Sequence, residues 1–341
     1  MRQSLYIPCF AILMLSFLQL FPLACGNSPT TSNPSITSTP CIVGGNTCTF
    51  TFTPTNSPTN TPTNTPTNCL TVVTNIGNST NFISPAGIQY QNGNLWVVDL
   101  DSFSLQEWVT NGVAPVTTIT TFDGGATFSY PSYDGIDPVS GNVYVASGSG
   151  EIDVFNSSGT YLNAFGQAQL ASGAMGVAVN PLGTMVYTLA ANIDTVFIYS
   201  IGGTSANPTY TYKSSFGSSG GPPATLGYSY NLHIDNKGNV WVADSGNFRL
   251  AEYTKYGKYL KSFKDPGLQF PFFPSDLFID GSGNVYATDV YNAFVEEFNS
   301  TGTVVCQFGK GILKWPKGIT GDGVGKFFVT DATLRQIVVF Q

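Results

Sequence analysis

Four aspartates stand at one recurring place in the chain, in the frames Trp96-Val-Val-Asp99, Trp241-Val-Ala-Asp244, Tyr286-Ala-Thr-Asp289 and Phe328-Val-Thr-Asp331. A carboxylate can move protons, hold a hard cation or accept backbone N–H groups at a turn. A side chain needed once for catalysis should occur once, so repetition after every such run favours the turn role for Asp99, Asp244, Asp289 and Asp331. Asp137, Asp235 and Asp280 recur just before the runs. They too adjoin turns, and any that faced a common channel could hold Ca²⁺ with carbonyl oxygens. His233 is the sole histidine, in Asn231-Leu-His-Ile-Asp235, and is read as strand packing or a polar channel lining. Ser/His/Asp catalysis lacks a nucleophile-elbow context. The run Phe216-Gly-Ser-Ser-Gly-Gly221 has no lysine and opens no helix, so it is an interblade loop and not a phosphate cradle.

Six cysteines occur. Cys9 and Cys25 lie in or beside the apolar N-terminal run, leaving Cys41, Cys48, Cys69 and Cys306, enough for two disulfides in an oxidising compartment. Cys41 with Cys48 is the local pairing. The alternative, a zinc site, needs closer spacing than Cys41 to Cys48 offers, and nearby histidines.

The elements that must position these groups are repeats. The units read Gly93-Asn-Leu-Trp-Val-Val-Asp99, Gly141-Asn-Val-Tyr-Val-Ala-Ser147, Gly183-Thr-Met-Val-Tyr-Thr-Leu-Ala190, Gly238-Asn-Val-Trp-Val-Ala-Asp244, Gly283-Asn-Val-Tyr-Ala-Thr-Asp289 and Gly325-Lys-Phe-Phe-Val-Thr-Asp331. Their aromatics, Trp96, Tyr144, Tyr187, Trp241, Tyr286 and Phe328, are 48, 43, 54, 45 and 42 residues apart. That period, with alternating apolar residues and a Gly-Asn pair expected to supply the positive φ of a hairpin turn, gives four short strands per unit. The expected fold is an all-β, six-bladed β-propeller of four-stranded antiparallel blades over residues 70–341. The last unit ends at its third strand, Arg335-Gln-Ile-Val-Val-Phe340, and Leu70-Thr-Val-Val-Thr74 is an orphan β run. If the orphan supplies the missing outer strand, the ring closes and loses its exposed edges. Closure would also bring Cys69 beside the outer strand of blade five, which carries Cys306.

The units resemble NHL repeats. The resemblance rests on Pro85-Ala-Gly-Ile88, Trp315-Pro-Lys-Gly-Ile319, Asp244-Ser-Gly-Asn-Phe-Arg-Leu250, and Asp289 with Asn292, Val295 and Phe298. Arg249 matches the family's arginine near Asn247, whereas Phe294 stands at the same distance from Asn292. Amidating lyases resemble the same family but use several histidines around zinc, where this chain has one. Lactonase-like and streptogramin-lyase-like propellers imply the enzymatic alternative, a metal-dependent hydrolase or lyase.

Before residue 70 the chain changes character. Met1–Cys25 carries one positive charge, an apolar run and small residues, the pattern of a secretory signal. Cys25 after Leu23 and Ala24 resembles a lipoprotein acceptor, so surface anchoring there is the alternative to full secretion. Residues 26–69 form a Thr/Pro/Asn-rich stalk with Thr/Ser-Pro-Thr-Asn repeated four times, too poor in apolar groups for a core. No later stretch approaches the ~20 apolar residues of a membrane-spanning helix. Net charge is -7, and no basic residue occurs from Gln3 to Tyr212. That balance argues against nucleic acid, which needs a basic footprint. The one basic cluster, Lys255, Lys258, Lys261 and Lys264, reads as a solvated turn and outer strand.

These features point to a monomeric recognition module, secreted or held at the cell surface, binding a protein, peptide or glycan through loops on a rigid frame. The aromatics in or near insertions, Phe128, Tyr130, Tyr133, Tyr210, Tyr212, Tyr228 and Tyr230, are its candidate contacts wherever they are exposed.

Overall fold

A computed structural model describes residues 68–171, 173–218 and 223–341. The signal segment, nearly all of the stalk, Cys25, Cys41 and Cys48 lie outside the described residues. Strand β1 (Val72–Ile76) precedes blade one, which comprises β2 (Pro85–Gln91), β3 (Asn94–Asp99), β4 (Ser104–Val109) and β5 (Thr117–Ile119). A small hairpin of β6 (Thr121–Phe122) and β7 (Ala126–Thr127) leads to blade two, of β8 (Asp134–Ile136), β9 (Val143–Ser147), β10 (Glu151–Phe155) and β11 (Tyr161–Phe165). After a single helical turn, blade three has β12 (Gly176–Val179), β13 (Met185–Ala190), β14 (Thr195–Thr204) and β15 (Asn207–Gly217). Blade four has β16 (Leu232–Ile234), β17 (Val240–Asp244), β18 (Arg249–Tyr253) and β19 (Tyr259–Phe263). Blade five has β20 (Pro274–Ile279), β21 (Val285–Asp289), β22 (Phe294–Phe298) and β23 (Val304–Phe308). Blade six has β24 (Pro316–Gly321), β25 (Phe327–Asp331) and β26 (Gln336–Phe340), and its fourth strand is β1.

The expected six antiparallel blades and their closure are therefore both present. β1 pairs β26 with Thr74 opposite Val339 and Ile76 opposite Ile337, and Ile76 is buried. The innermost strands contact one another in ring order, with β24 against β2 completing the circle. Threonines stitch blades five, six and one together. Thr288 Oγ1 donates to Lys317 O at 2.8 Å, and Thr330 Oγ1 donates to Ala86 O at 2.6 Å.

Between blades, the alternating apolar residues of neighbouring sheets interlock. Trp96, Val98 and Leu105 of blade one meet Val143, Val145 and Phe155 of blade two, all buried. At the hairpins between first and second strands the glycine of the Gly-Asn pair takes positive φ and its asparagine does not, as at Gly93 (91°, preceded by Asn92 at 51°), Gly238 (83°) and Gly283 (85°). The asparagine instead starts or adjoins the next strand and reaches across to the third. Asn94 Nδ2 donates to Glu107 at 2.6 Å, and Asn239 Nδ2 donates to Glu252 at 2.8 Å. The Gly-Asn pair is thus a turn plus a cross-strand polar clasp, rather than two positive-φ positions.

Because the strands alternate in direction, the loops entering each innermost strand and the turns joining second to third strands share one face, here the upper face. The remaining turns form the lower face.

Candidate functional site

The upper face is built on the repeated acids. Asp99 accepts Ile83 N at 2.7 Å and Ser84 N at 2.8 Å from the incoming loop, and Ser102 N at 3.4 Å from its own turn. Asp331 accepts Lys314 N at 2.7 Å and Trp315 N at 3.0 Å, with Thr333 N and Leu334 N of its turn. Asp289 similarly joins Phe273 N to Tyr291 N and Asn292 N, and burial raises its pKa to about 6 against these donors. Asp244 accepts Gly227 N at 2.8 Å and forms a buried ion pair with Arg249 Nε at 2.6 Å; burial raises its pKa, while Arg249 and the N–H donors oppose the shift. Blade three has Ala190 at this place, and Asp194, four residues on, accepts Tyr228 N instead. Each carboxylate pins one upper-face loop to the blade below it.

The turns end in left-handed residues at Phe103, Asp194, Phe248, Ala293 and Arg335, with φ of 50° to 55°, and at Gly150 in blade two. This geometry is costly for a side chain larger than glycine, and it turns the chain sharply into the third strand. It also lifts apolar groups outward. Exposed Ile83, Phe103, Ile193, Phe248, Phe270 and Tyr291 all belong to this face.

Beside Phe103 an open cleft of about 480 Å³ lies between the turn of blade one and the β6–β7 hairpin. Ser102, Phe103, Thr120, Thr121, Thr127, Phe128, Ser129 and Tyr130 line it, all uncharged. Phe103 and Tyr130 meet edge to face, with ring centres 5.4 Å apart.

The other sequence-selected aromatics are scattered. Phe128 is buried against Phe122 and Phe155, so only part of it reaches the cleft. Tyr210 stacks on Phe165 at 3.8 Å, and Tyr212 is exposed; both lie on the long outer strand of blade three and not in an insertion. Tyr228 is half-buried and packs edge-on to buried Tyr230. Tyr133 is buried. These positions spend Phe128, Tyr133, Tyr210 and Tyr230 largely on packing. Lys261 of the basic cluster is a solvated outer-strand residue lying over Phe263 and Trp241.

Around the axis, Tyr133 comes together with residues that sequence reasoning left aside. Tyr133 Oη of blade two meets Ser275 Oγ of blade five at 2.5 Å, joining opposite blades. Asp134, Asn231 and Asp276, on or next to innermost strands, are all buried. Asp276 accepts Leu277 N (2.8 Å), Ile319 N (2.9 Å) and Asn231 Nδ2 (2.7 Å), yet burial still raises its pKa to about 7. Asp134 has no donor on either carboxylate oxygen, and burial, reinforced by Asp276, pushes its pKa well up. The signal in the sequence was a break in the frame Pro-x-Gly-Ile: in Pro274-Ser-Asp-Leu277, Asp276 replaces the glycine found at Gly87 and Gly318. His233, two residues past Asn231, is half-buried beside Phe278, and burial lowers its pKa to about 4. Lys317 lies over Tyr230 and Trp315, and burial, opposed by Asp101, brings its pKa down to about 8.

Asp137, Asp235 and Asp280 sit at lower-face turns, accepting Val139 N (2.9 Å), Asn239 N (2.8 Å) and Asn284 N (2.9 Å). They face their own turns rather than a common channel. Cys69 and Cys306 form a disulfide with Cα atoms 6.2 Å apart, tying the segment before β1 to β23. Glu297 lies close by, but the disulfide leaves neither sulfur as a thiolate for metal. Among the described residues no helix is long and apolar enough to cross a membrane.

No protein-family model matches the sequence. No curated protein is similar to it either. Solved structures do share the fold. A protein of unknown function from Bacteroides thetaiotaomicron VPI-5482 superposes with a TM-score of 0.62 at 14% identity, over 80% of this chain and 75% of that one. A catalytically inactive histidine-to-alanine variant of virginiamycin B lyase from Staphylococcus aureus, solved with quinupristin, gives 0.54 at 15% identity, over 77% and 81%. A chain of a nidogen/laminin complex gives 0.53 at 16% identity, over 69% and 84%. At these identities the likeness establishes the β-propeller architecture that this chain shares with them.

Proposed function

We propose that this protein is a recognition module, exported on its signal segment and stalk, that binds its ligand on the upper face. One observation carries the reading: the cleft that Phe103 and Tyr130 line with their neighbours presents rings and hydroxyls and no charged group. Its volume lies in the range of small-ligand and peptide-anchor sites. Ring faces offer apolar contact while Ser and Thr hydroxyls both donate and accept, a combination suited to a neutral, hydroxyl-rich ligand such as a glycan. The exposed Phe248, Phe270 and Tyr291 extend this surface around the same face. The blades are read as NHL-type on the strength of the Asp244-to-Arg249 and Asp289-to-Asn292 contacts within their turns.

An enzymatic reading draws on the lyase neighbour, whose histidine-to-alanine variant is inactive. This chain has His233 for such a role, held on an innermost strand beside Phe278 rather than at the cleft. The binding reading is therefore preferred. It is tested with the full chain on a glycan array: Phe103→Ala should abolish retention while leaving the melting temperature within about 3 °C. Retention unaffected by Phe103→Ala would reject the cleft as the site.

A further inference from the structure

In a chain of net charge -7, four cations meet on one sector of the upper face. Lys310 and Lys314 lie on the loop entering blade six, Lys317 is the second residue of β24, and Arg335 ends the turn between β25 and β26. One carboxylate draws these segments together. Asp331 accepts Lys314 N at 2.7 Å and Trp315 N at 3.0 Å on one oxygen, and Thr333 N and Leu334 N on the other, while Arg335 N donates to the backbone oxygen of Asp331 at 2.8 Å. Lys310, Lys314 and Arg335 are exposed, and Lys317 is half-buried. The grouping is a product of the fold, since the turn that carries Arg335 is brought to the loop only by this clamp.

Among the described residues the ion pairs are Arg249–Asp244 and Lys261–Glu252, which leaves all four cations without one. Asp331 spends both carboxylate oxygens on backbone N–H groups. Asp101, on the neighbouring turn of blade one, attracts Lys317 and Arg335 without pairing with either. The other charges of blade six, Asp322 and Lys326, sit at the β24–β25 turn on the lower face. Two of the lysines lie on aromatic faces. Lys310 Nζ is 6.0 Å from the ring centre of Phe294, and Lys317 Nζ is 5.4 Å from that of Tyr230 and 5.7 Å from that of Trp315. Like charges left without counter-charges on one surface raise the local potential and draw anions to it.

We propose that this sector binds an acidic polysaccharide through its uronate carboxylates. A uronate presents a planar carboxylate, which the guanidinium fork of Arg335 matches and the lysine ammonium groups attract. Its sugar ring keeps an apolar face for the half-buried indole of Trp315. Successive uronates repeat their charge along the chain, so one ligand meets several cations of the sector at once. The site goes beyond the Phe103 cleft: its ligand is anionic where that of the cleft is neutral, and neither reading needs the other.

The test measures binding of polygalacturonate by the full chain at pH 7, where Lys317, with its pKa brought to about 8 by burial, is still charged. Saturable binding is expected in about 0.05 M NaCl, with none to neutral dextran, and affinity should fall roughly tenfold in about 0.5 M NaCl, where exposed charges are screened. Lys314→Gln combined with Arg335→Gln should weaken binding by about tenfold or more. Both residues enter the Asp331 clamp through backbone groups, so the clamp survives these changes. Lys237→Gln combined with Lys326→Gln removes the same charge from lower-face turns and should stay within about twofold of wild type. If the first pair fails to fold, the salt response of the wild type decides. No binding to polygalacturonate, affinity indifferent to salt, or a loss shared by the lower-face pair would overturn the proposal. Tighter binding of dextran sulfate at equal charge, or of phosphatidylglycerol vesicles, would overturn the uronate assignment.

Discussion

Breaking the Cys69–Cys306 disulfide separates two contributions to ring closure. The bridge spans 237 residues of sequence. In the chain-entropy treatment a loop of that size constrains the unfolded ensemble by about 5.5 kcal/mol, an upper figure because strain and residual structure reduce it, and removal of native disulfides costs about 2–5 kcal/mol. The perturbation is Cys69→Ser, chosen because Cys69 is exposed whereas Cys306 is buried. The native ring should persist without the bridge. β1 still pairs β26 along Thr74 to Ile76, and Thr71 N and Gln341 N exchange hydrogen bonds with each other's carbonyl oxygens at 3.0 Å. The variant should therefore keep the wild-type circular dichroism spectrum and resist proteolysis near residue 75, while its denaturant midpoint falls by the equivalent of about 2–5 kcal/mol. An unchanged midpoint would show that no bridge forms. Prompt cleavage near residue 75 under native conditions would show that the bridge, and not strand pairing, holds the ring shut.

Glu296 is buried, with Gln307 Nε2 at 2.7 Å on one oxygen and no donor on the other, and burial raises its pKa to about 9. Folded protein thus keeps a proton that the unfolded chain, near the ordinary value of 4.5, gives up. The stability this confers is complete below pH 4.5 and is lost as pH rises towards 9, at no more than about 1.4 kcal/mol per pH unit. Glu296→Gln should remove that slope and be the more stable protein at pH 8 by urea denaturation; parallel pH profiles would contradict it. Asp244→Asn leaves Arg249 buried without its counter-charge, an expected loss of about 3–5 kcal/mol, read by the same titration. Ala293→Gly relieves a φ of 55° and should raise stability by up to about 1 kcal/mol, and a clear loss would argue against the left-handed turn.

The ring itself was readable because it is periodic: six aromatic-bearing second strands and an unfinished last blade implied both blade number and closure. The four repeated acids were readable as a set, although their hydrogen bonds show more than turn capping, since each also holds an incoming loop. What escaped was whatever departs from the repeat. Asp134 and Asp276 lie in the innermost strands, where sequence alone does not show which residues turn toward the axis and which toward a neighbouring blade. Exposure was equally hidden. Tyr133 and Phe103 both sit near loops, yet Tyr133 is drawn inward by Ser275 while the left-handed turn leaves Phe103 at 37% exposure. The long β14–β15 hairpin that absorbs Tyr210 and Tyr212 reads in sequence as an insertion, because its polar residues interrupt the apolar alternation.

Central to the proposed function is recognition of a ligand by the upper face. Its most direct test compares glycan-array binding by the wild-type chain, Phe103→Ala on the upper face and Tyr256→Ala on the lower, where Tyr256 is 77% exposed. Binding by the wild type and by Tyr256→Ala, with at least tenfold weaker binding by Phe103→Ala, is the predicted result. Binding that follows Tyr256 and ignores Phe103 would contradict it.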